Sequence, residues 1–419
     1  MSSAGKALQI TDLAQPQLTP FQRDALAYGE TLKIAFSEES VLSKAREITG
    51  LEDFGNDDFR RRLAVLLDEW GNDEGLTGLG RLSLHNKLVQ HASSRLLIED
   101  TLVRHPEIHD IEIRQPIIVA GLPRSGTTHL LNLMAADHRF RSLPLWESYE
   151  PVPRPGEAAL EDGTDPRWQR CQDAWEMMQA GSPLIAAMHP MNPDHIHEEL
   201  ELMGPNFASY NYEWLSVSPN WRDHYYREDQ TPHYEYMKTV LKILQWRQGP
   251  ERWVLKCPQH LEQLPVLRKV FPDATVAITH RDPVEVIQSA ITMQGYGQRM
   301  HRKQVDLPGL LAYWSDRIEH LLRACVQDRE CLGEANSIDV PFREFMDDDI
   351  AMVERIYARA GLDLTKTARA ELQAFMKSHP RGSEGRMVYD LEGDFGIGAE
   401  ALRERFHFYF ERFPCAGRR

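Results

Sequence analysis

The stretch that most narrows what this chain can fold into is "PIIVAGLPRSGTTHLLNLMAAD", residues 116–137. Its first part, "PIIVAGL", is a short unbroken apolar run, the pattern of a strand buried on both faces of a parallel sheet. A loop holding Gly121 and Gly126 follows, and from Thr127 onward Leu130, Leu131 and Met134 fall on one side of a helix. Strand, glycine loop and helix in direct succession form a phosphate-binding arrangement. The helix tip offers unpaired amides and the positive end of the helix dipole to an anion.

The two glycines have the separation found in GxxxxGK[ST], but Thr127 stands where nucleotide triphosphatases have lysine. That lysine reaches the β- and γ-phosphates, so a loop without it is poorly suited to moving a γ-phosphoryl group. A kinase or hydrolase using ATP and Mg²⁺ is therefore the weaker alternative, and no convincing acidic metal ligand follows an apolar strand. The amides of Ser125, Gly126, Thr127 and Thr128 are still expected to face an anion. Arg124, inside the loop, adds a permanent charge and a planar donor fork.

The alternation recurs in "RWVLKCP" with "HLEQLPVLRKVF", in "ATVAITHRDP" with "VEVIQSAITM", and in "SIDVPF" with "DDDIAMVERIYARAGL". Such β-then-α units predict an α/β fold: a parallel sheet flanked by helices, of the P-loop-containing nucleotide-binding type. Residues 1–112 read as an N-terminal helical region, since Phe59, Leu63, Leu66 and Trp70 recur at helical spacing after Asp57 and Asp58. Residues 113–419 then form the α/β domain, with 150–250 a mainly helical insertion on the acceptor side. Within it, "PVPRPGEAALEDGTDP" predicts a surface loop leading to a helix near Trp168–Met178. The aromatic-rich "NFASYNYEWLSVSPNWRDHYYREDQTPHYEY" either lines a pocket or packs the core.

Ligands of open parallel sheets bind outside the carboxyl ends of the strands. Arg281 ends one predicted strand, with Ser289 in the helix behind it, so both lie on the same edge as the glycine loop. Lys256 ends another, followed by His260. In "HPRGSEGR", Arg381, Gly382, Gly385 and Arg386 make a basic loop able to close over the same anion. The chain has 63 acidic and 48 basic residues, a net charge of -15, which disfavours general attraction to nucleic acid or anionic lipid. An anion site must be built locally.

Taken together, "GLPRSGTTHL", "HRDPVEVIQSA" and "RGSEG" resemble the donor-binding motifs of PAPS-dependent sulfotransferases. The likeness to the bacterial-type branch extends through "RWVLKCPQHL" and the terminal "ALRERFHFYFERF". The resemblance implies an enzyme that moves a sulfonate from PAPS, 3'-phosphoadenosine 5'-phosphosulfate, to a hydroxyl of a small-molecule acceptor by in-line displacement, releasing 3',5'-ADP. It places Arg124, Ser125, Gly126, Thr127 and Thr128 at the 5'-phosphosulfate, Arg281 and Ser289 at the 3'-phosphate, Arg381 and Gly382 over it, and Lys256 at the sulfonate. No metal is expected. Many cytosolic members have lysine where this chain has Arg124, and arginine holds its proton too firmly to act as an acid. Arg124 is thus expected to act by charge alone.

For the base, His260 is preferred because neutral imidazole accepts a hydroxyl proton near pH 7. Glu147, His197, Glu198 and Glu199 are the alternatives. The last three lie with His195 in "HPMNPDHIHEEL", which has metal-ligand residue types without a fixed metal-site spacing. A non-catalytic nucleotide-binding protein is a further alternative. The cysteines Cys171, Cys257, Cys325, Cys331 and Cys415 are scattered, without CxxC pairing. With no apolar signal core and no run of bilayer-spanning length, a cytoplasmic protein without a membrane segment is expected. The sequence is compatible with a homodimer.

Overall fold

The computed structural model describes residues 6–249, 252–381 and 385–416. Its centre is a five-stranded, wholly parallel sheet. The strands are β1 (Ile117–Gly121), β2 (Phe140–Arg141), β3 (Arg252–Lys256), β4 (Thr275–His280) and β5 (Ser337–Pro341), in the spatial order β2-β3-β1-β4-β5. Every residue of β1 and β4 is buried, and β1 accordingly reads as an unbroken apolar run. The apolar stretches expected as strands all form, and β2, two residues long, is an addition no pattern announced.

Strand order fixes where a ligand can sit. The chain passes from β3 on one side of β1 to β4 on the other, so a crevice opens at the carboxyl ends of these three strands. Register aligns their ends: Val119 is paired with Lys256, and Gly121 with Thr279.

Four helices frame that crevice: α1 (Gly78–Arg104), α2 (Thr127–Ala135), α3 (Leu200–Met203) and α4 (Pro283–His301). The N-terminal helices share their core with the insertion. Phe59, Leu63, Leu66 and Trp70 of helix Phe59–Gly71 pack with Phe207, Tyr212, Trp221 and Tyr225, and the Trp70 indole donates to the Ser218 hydroxyl at 2.9 Å. Asp58 occupies the N-cap of that helix but accepts no capping hydrogen bond; its carboxylate pairs with Arg61 and Arg62 instead. Far along the chain, Ala7–Gln9 forms a parallel two-stranded sheet with Arg386–Val388. Residues 150–165 lack regular structure, and helix Pro166–Gly181 covers the expected Trp168–Met178 segment. Among the described residues, no helix is long and apolar enough to cross a membrane.

Candidate active site

The loop from β1 to α2 is held by contacts that tolerate no side chain at Gly121. A Cβ there would lie 1.9 Å from the Thr279 hydroxyl, which is bonded to the Ser125 hydroxyl at 2.8 Å. Ser125 in turn donates its hydroxyl to the Leu122 carbonyl at 2.5 Å and its amide to the same carbonyl at 3.2 Å. Neither group of Ser125 is free for an anion, contrary to the sequence expectation: a tight turn has consumed both. The amides that remain are those from Gly126 onward. Gly126 is the N-cap of α2 at φ +85, where a Cβ would also meet the Phe342 ring at 2.9 Å, and the first-turn amides behind it have no intrahelical partner.

Arg124 adopts φ +67, a backbone region that side-chain-bearing residues seldom occupy. The conformation turns its guanidinium toward α4. Its Nε donates to Ser289 Oγ at 3.0 Å and its Nη1 to the Met188 carbonyl. Arg281 closes the group from the end of β4, donating Nη1 to the Arg124 carbonyl at 2.6 Å while its guanidinium lies 4.1 Å above the Phe342 ring. The Tyr389 hydroxyl is 2.8 Å from Ser289 Oγ, so the late part of the chain reaches this spot through a tyrosine.

Arg381 does not join them. It is bonded to the Asp349 carboxylate and to the Met346 carbonyl, and Asp349 also faces His129 of α2 at 3.5 Å. The sequence places Arg381 over the Ser289 anion; its salt bridge holds it beside α2 instead. Gly382 lies outside the described residues. Arg386 is exposed in its strand.

Lys256, at the end of β3, is buried and touches the Glu198 carboxylate, with Thr128 Oγ1 3.3 Å from its Nζ. It therefore ties the helix tip to the insertion. Burial pushes its ammonium down to about 7, and nearby Arg124 acts in the same direction. Glu198 Oε1 receives the Lys256 proton donor, and Oε2 has no hydrogen-bond partner among the described residues.

His260 cannot reach a ligand as it stands. Fully buried, it has Nε2 2.7 Å from Glu199 Oε1 and Nδ1 2.9 Å from the Tyr234 hydroxyl, a pattern satisfied by a neutral ring that donates to Glu199 and accepts from Tyr234. Both nitrogens are used, which removes the geometry a base needs. Glu199 is likewise consumed, by His260 and by the Lys256 amide at 2.8 Å. Glu147 is bonded to Arg141 and, at 2.6 Å, to Gln248, and is buried away from the crevice. Successive residues thus diverge: Glu198 turns to the crevice and Glu199 to the core, so the cluster does not converge as metal ligands would.

The crevice opens into a cavity of ≈ 380 Å³. One end is lined by Arg124, Thr127, Thr128, His197 and Glu198, and much of the wall by apolar residues such as Met178, Ile185, Trp214, Leu215 and Met293. His189, His195 and His197 form a group with ring centroids 6.3 and 5.8 Å from His189. Burial drives His189 down to about 3, His195 to about 4 and His197 well below its ordinary value, so all three are neutral at pH 7. Of the aromatic-rich segment, only Trp214 contributes an aromatic ring to the cavity wall among the described residues; Phe207, Tyr212, Trp221 and Tyr225 pack the helical core. Sequence reasoning missed His189, Tyr389 and Lys87. For Lys87 a signal existed, since a lysine and His91 four residues on interrupt the apolar positions of α1.

A parallel sheet with free helix-tip amides at one strand end, a lysine at the next and a largely apolar cavity beyond is the arrangement of an α/β nucleotide-binding fold. A model described as Sulfotransferase family matches residues 116–366, and the chain belongs to that family of enzymes. Among solved structures it is similar to the sulfotransferase STF1 from Mycobacterium tuberculosis, at 29% identity and TM-score 0.78, covering 90% of this chain and 100% of that one. It is also similar to STF9 from Mycobacterium avium, at 26% identity and TM-score 0.79, covering 90% and 97%. A curated relative, omega-hydroxy-beta-dihydromenaquinone-9 sulfotransferase Stf3 of Mycobacterium bovis, is 23% identical over 285 residues, 63% of this chain and 67% of its own.

Proposed function

We propose that the protein transfers a sulfonate from PAPS to a hydroxyl of a small molecule with an apolar body, releasing 3',5'-ADP, and that Glu198 rather than His260 takes the hydroxyl proton. The observation that carries the reading is the meeting of Arg124, Arg281 and Ser289 beside the free amides at the tip of α2. Two anionic groups of one nucleotide can be held there, one on amides and one on guanidinium and hydroxyl.

In this mechanism Arg124 and Lys256 spread the charge of the sulfonate oxygens, and the α2 amides stabilise the departing phosphate. The acceptor oxygen forms its bond to sulfur as the sulfur–phosphate oxygen bond breaks, and its proton passes to Glu198 Oε2. Glu198 lines the cavity, touches Lys256 and has one oxygen without a hydrogen-bond partner among the described residues. The apolar walls suit an acceptor such as a lipid-like alcohol. The named activity of the Mycobacterium bovis relative, on a hydroxylated menaquinone derivative, is of that kind.

The test is incubation of purified protein with labelled PAPS and a panel of hydroxylated lipids and metabolites, read by mass spectrometry for an added sulfonate, with 3',5'-ADP binding measured alongside. Failure to bind 3',5'-ADP, or Mg²⁺-dependent turnover of ATP, sinks the reading.

A further inference from the structure

The cavity has a second polar place, one helical turn from Glu198. Glu201 follows it around the turn that opens α3, with its amide 3.5 Å from the Glu198 carbonyl, and residues three apart on a helix lie ~5–6 Å apart at Cβ. Both side chains face the cavity, and each carries its own lysine: Lys256 on Glu198, and Lys87 of α1 on Glu201.

The two pairs differ in what they leave unused. Glu201 has both oxygens engaged, receiving Asn211 Nδ2 at 2.7 Å on one and Lys87 at 3.4 Å and His91 at 3.3 Å on the other. Among the described residues Lys87 makes that one long hydrogen bond and lies 4.1 Å over the Tyr149 ring, so an ammonium with three donors has donors to spare. The Tyr149 hydroxyl and Asn211 Oδ1 have no partner among the described residues, and Lys87, Tyr149 and Asn211 all line the cavity. Lysine donors, a phenol and an amide oxygen thus line the same cavity. Glu201 already balances the charge of Lys87, so a carboxylate or phosphate would gain little there, while a neutral oxygen would be hydrogen-bonded without a charge being buried.

We propose that Lys87, Tyr149 and Asn211, fixed by Glu201, form a recognition subsite for a neutral oxygen of the acceptor, an ether, hydroxyl or carbonyl, about one helical turn from the hydroxyl that receives the sulfonate. The inference rests on the sulfonate-transfer reading above for the place of the reacting hydroxyl. It makes Lys87 a specificity-determining residue.

Two matched alcohols test it: octan-1-ol, and 3-butoxypropan-1-ol, which has the same chain length with an ether oxygen in place of one methylene. Their affinities are measured by calorimetry with 3',5'-ADP present, and their kcat/KM with PAPS, for the wild type, Lys87→Met and Lys87→Arg. The wild type is expected to prefer the ether about tenfold or more, because a site built to hydrogen-bond an oxygen rejects the analogue that lacks it. Lys87→Met is expected to bring the ratio to within about twofold, and Lys87→Arg to keep most of the preference. Equal binding of the two alcohols by the wild type, or an undiminished preference in Lys87→Met, overturns the inference. A binding preference lost in Lys87→Met without turnover of either alcohol supports the subsite and overturns the sulfonate-transfer reading instead.

Discussion

Arg124 and Ser289, 165 residues apart in sequence, are joined by a hydrogen bond of 3.0 Å from the guanidinium Nε to the hydroxyl. One comes from the loop after β1 and the other from the helix after β4. Their contact makes a single rim out of two βα units.

If that rim holds the donor, Ser289→Ala and Arg281→Ala are each expected to weaken 3',5'-ADP binding by about 1.5–3 kcal/mol, the size of a hydrogen bond to a charged group. Isothermal titration calorimetry gives the answer. Unchanged affinity in both variants removes the assignment.

Lys256 is expected to supply charge in the transition state, so Lys256→Ala lowers kcat about a hundredfold or more. The cation exists only below its lowered pKa of about 7. In the free enzyme kcat/KM should therefore fall as pH rises through that value, and Lys256→Arg, which stays charged, should lose this alkaline limb. A pH–rate profile identical in the two proteins excludes Lys256 as its origin.

Glu198 and His260 are separable by two readouts. Glu198→Gln is expected to cut kcat by about 10²–10⁴ while the melting temperature stays close to that of the wild type. His260→Ala leaves Glu199 and Tyr234 without their buried partner, at about 1–3 kcal/mol for each group so orphaned, and its first effect is on stability. The reverse pattern in melting curves and single-turnover rates restores His260 as base.

In helix Leu307–Asp328, against the aromatic segment, Arg317 is buried against two carboxylates, Glu213 at 2.8 Å and Glu262 at 2.6 Å. Arg317→Met strands both and is expected to cost about 3–5 kcal/mol in denaturant unfolding. Although burial alone would raise it, Glu262 is held down at about 2, against an ordinary value of 4.5, chiefly by Arg317. Its contribution is complete above 4.5 and is lost as pH falls through 2, so Glu262→Gln should flatten the acid limb of the stability curve across that window. A limb of unchanged steepness counts against the pairing.

The sheet was legible because its determinants are local. The runs around Ile117–Gly121, Val254–Lys256, Thr275–His280 and Ser337–Pro341 are rich in apolar residues, and each is followed by a helical stripe. The positions of the glycine loop, Arg281 and Ser289 in the fold were legible for the same reason: strand ends and helix starts are marked by residue type. β2 was not, since two residues carry no period. The choice among Glu147, His197, Glu198, Glu199 and His260 was not legible either, because neighbours in sequence diverge. Glu199 and His260 spend themselves on each other in the core while Glu198 faces the cavity.

By itself the sequence determined the alternation of strands and helices and the placing of the glycine loop, Arg281 and Ser289 at one edge of the sheet, because backbone periodicity, glycine at Gly126 and charge at strand ends act over a few residues. Tertiary structure alone decided which polar groups keep unspent hydrogen-bonding capacity. His260 and Arg381 lose theirs to Glu199 and Asp349, and Glu198 and Lys87 keep some. Partners distant in the chain set that balance, since a buried polar group must be satisfied by whatever the fold brings against it.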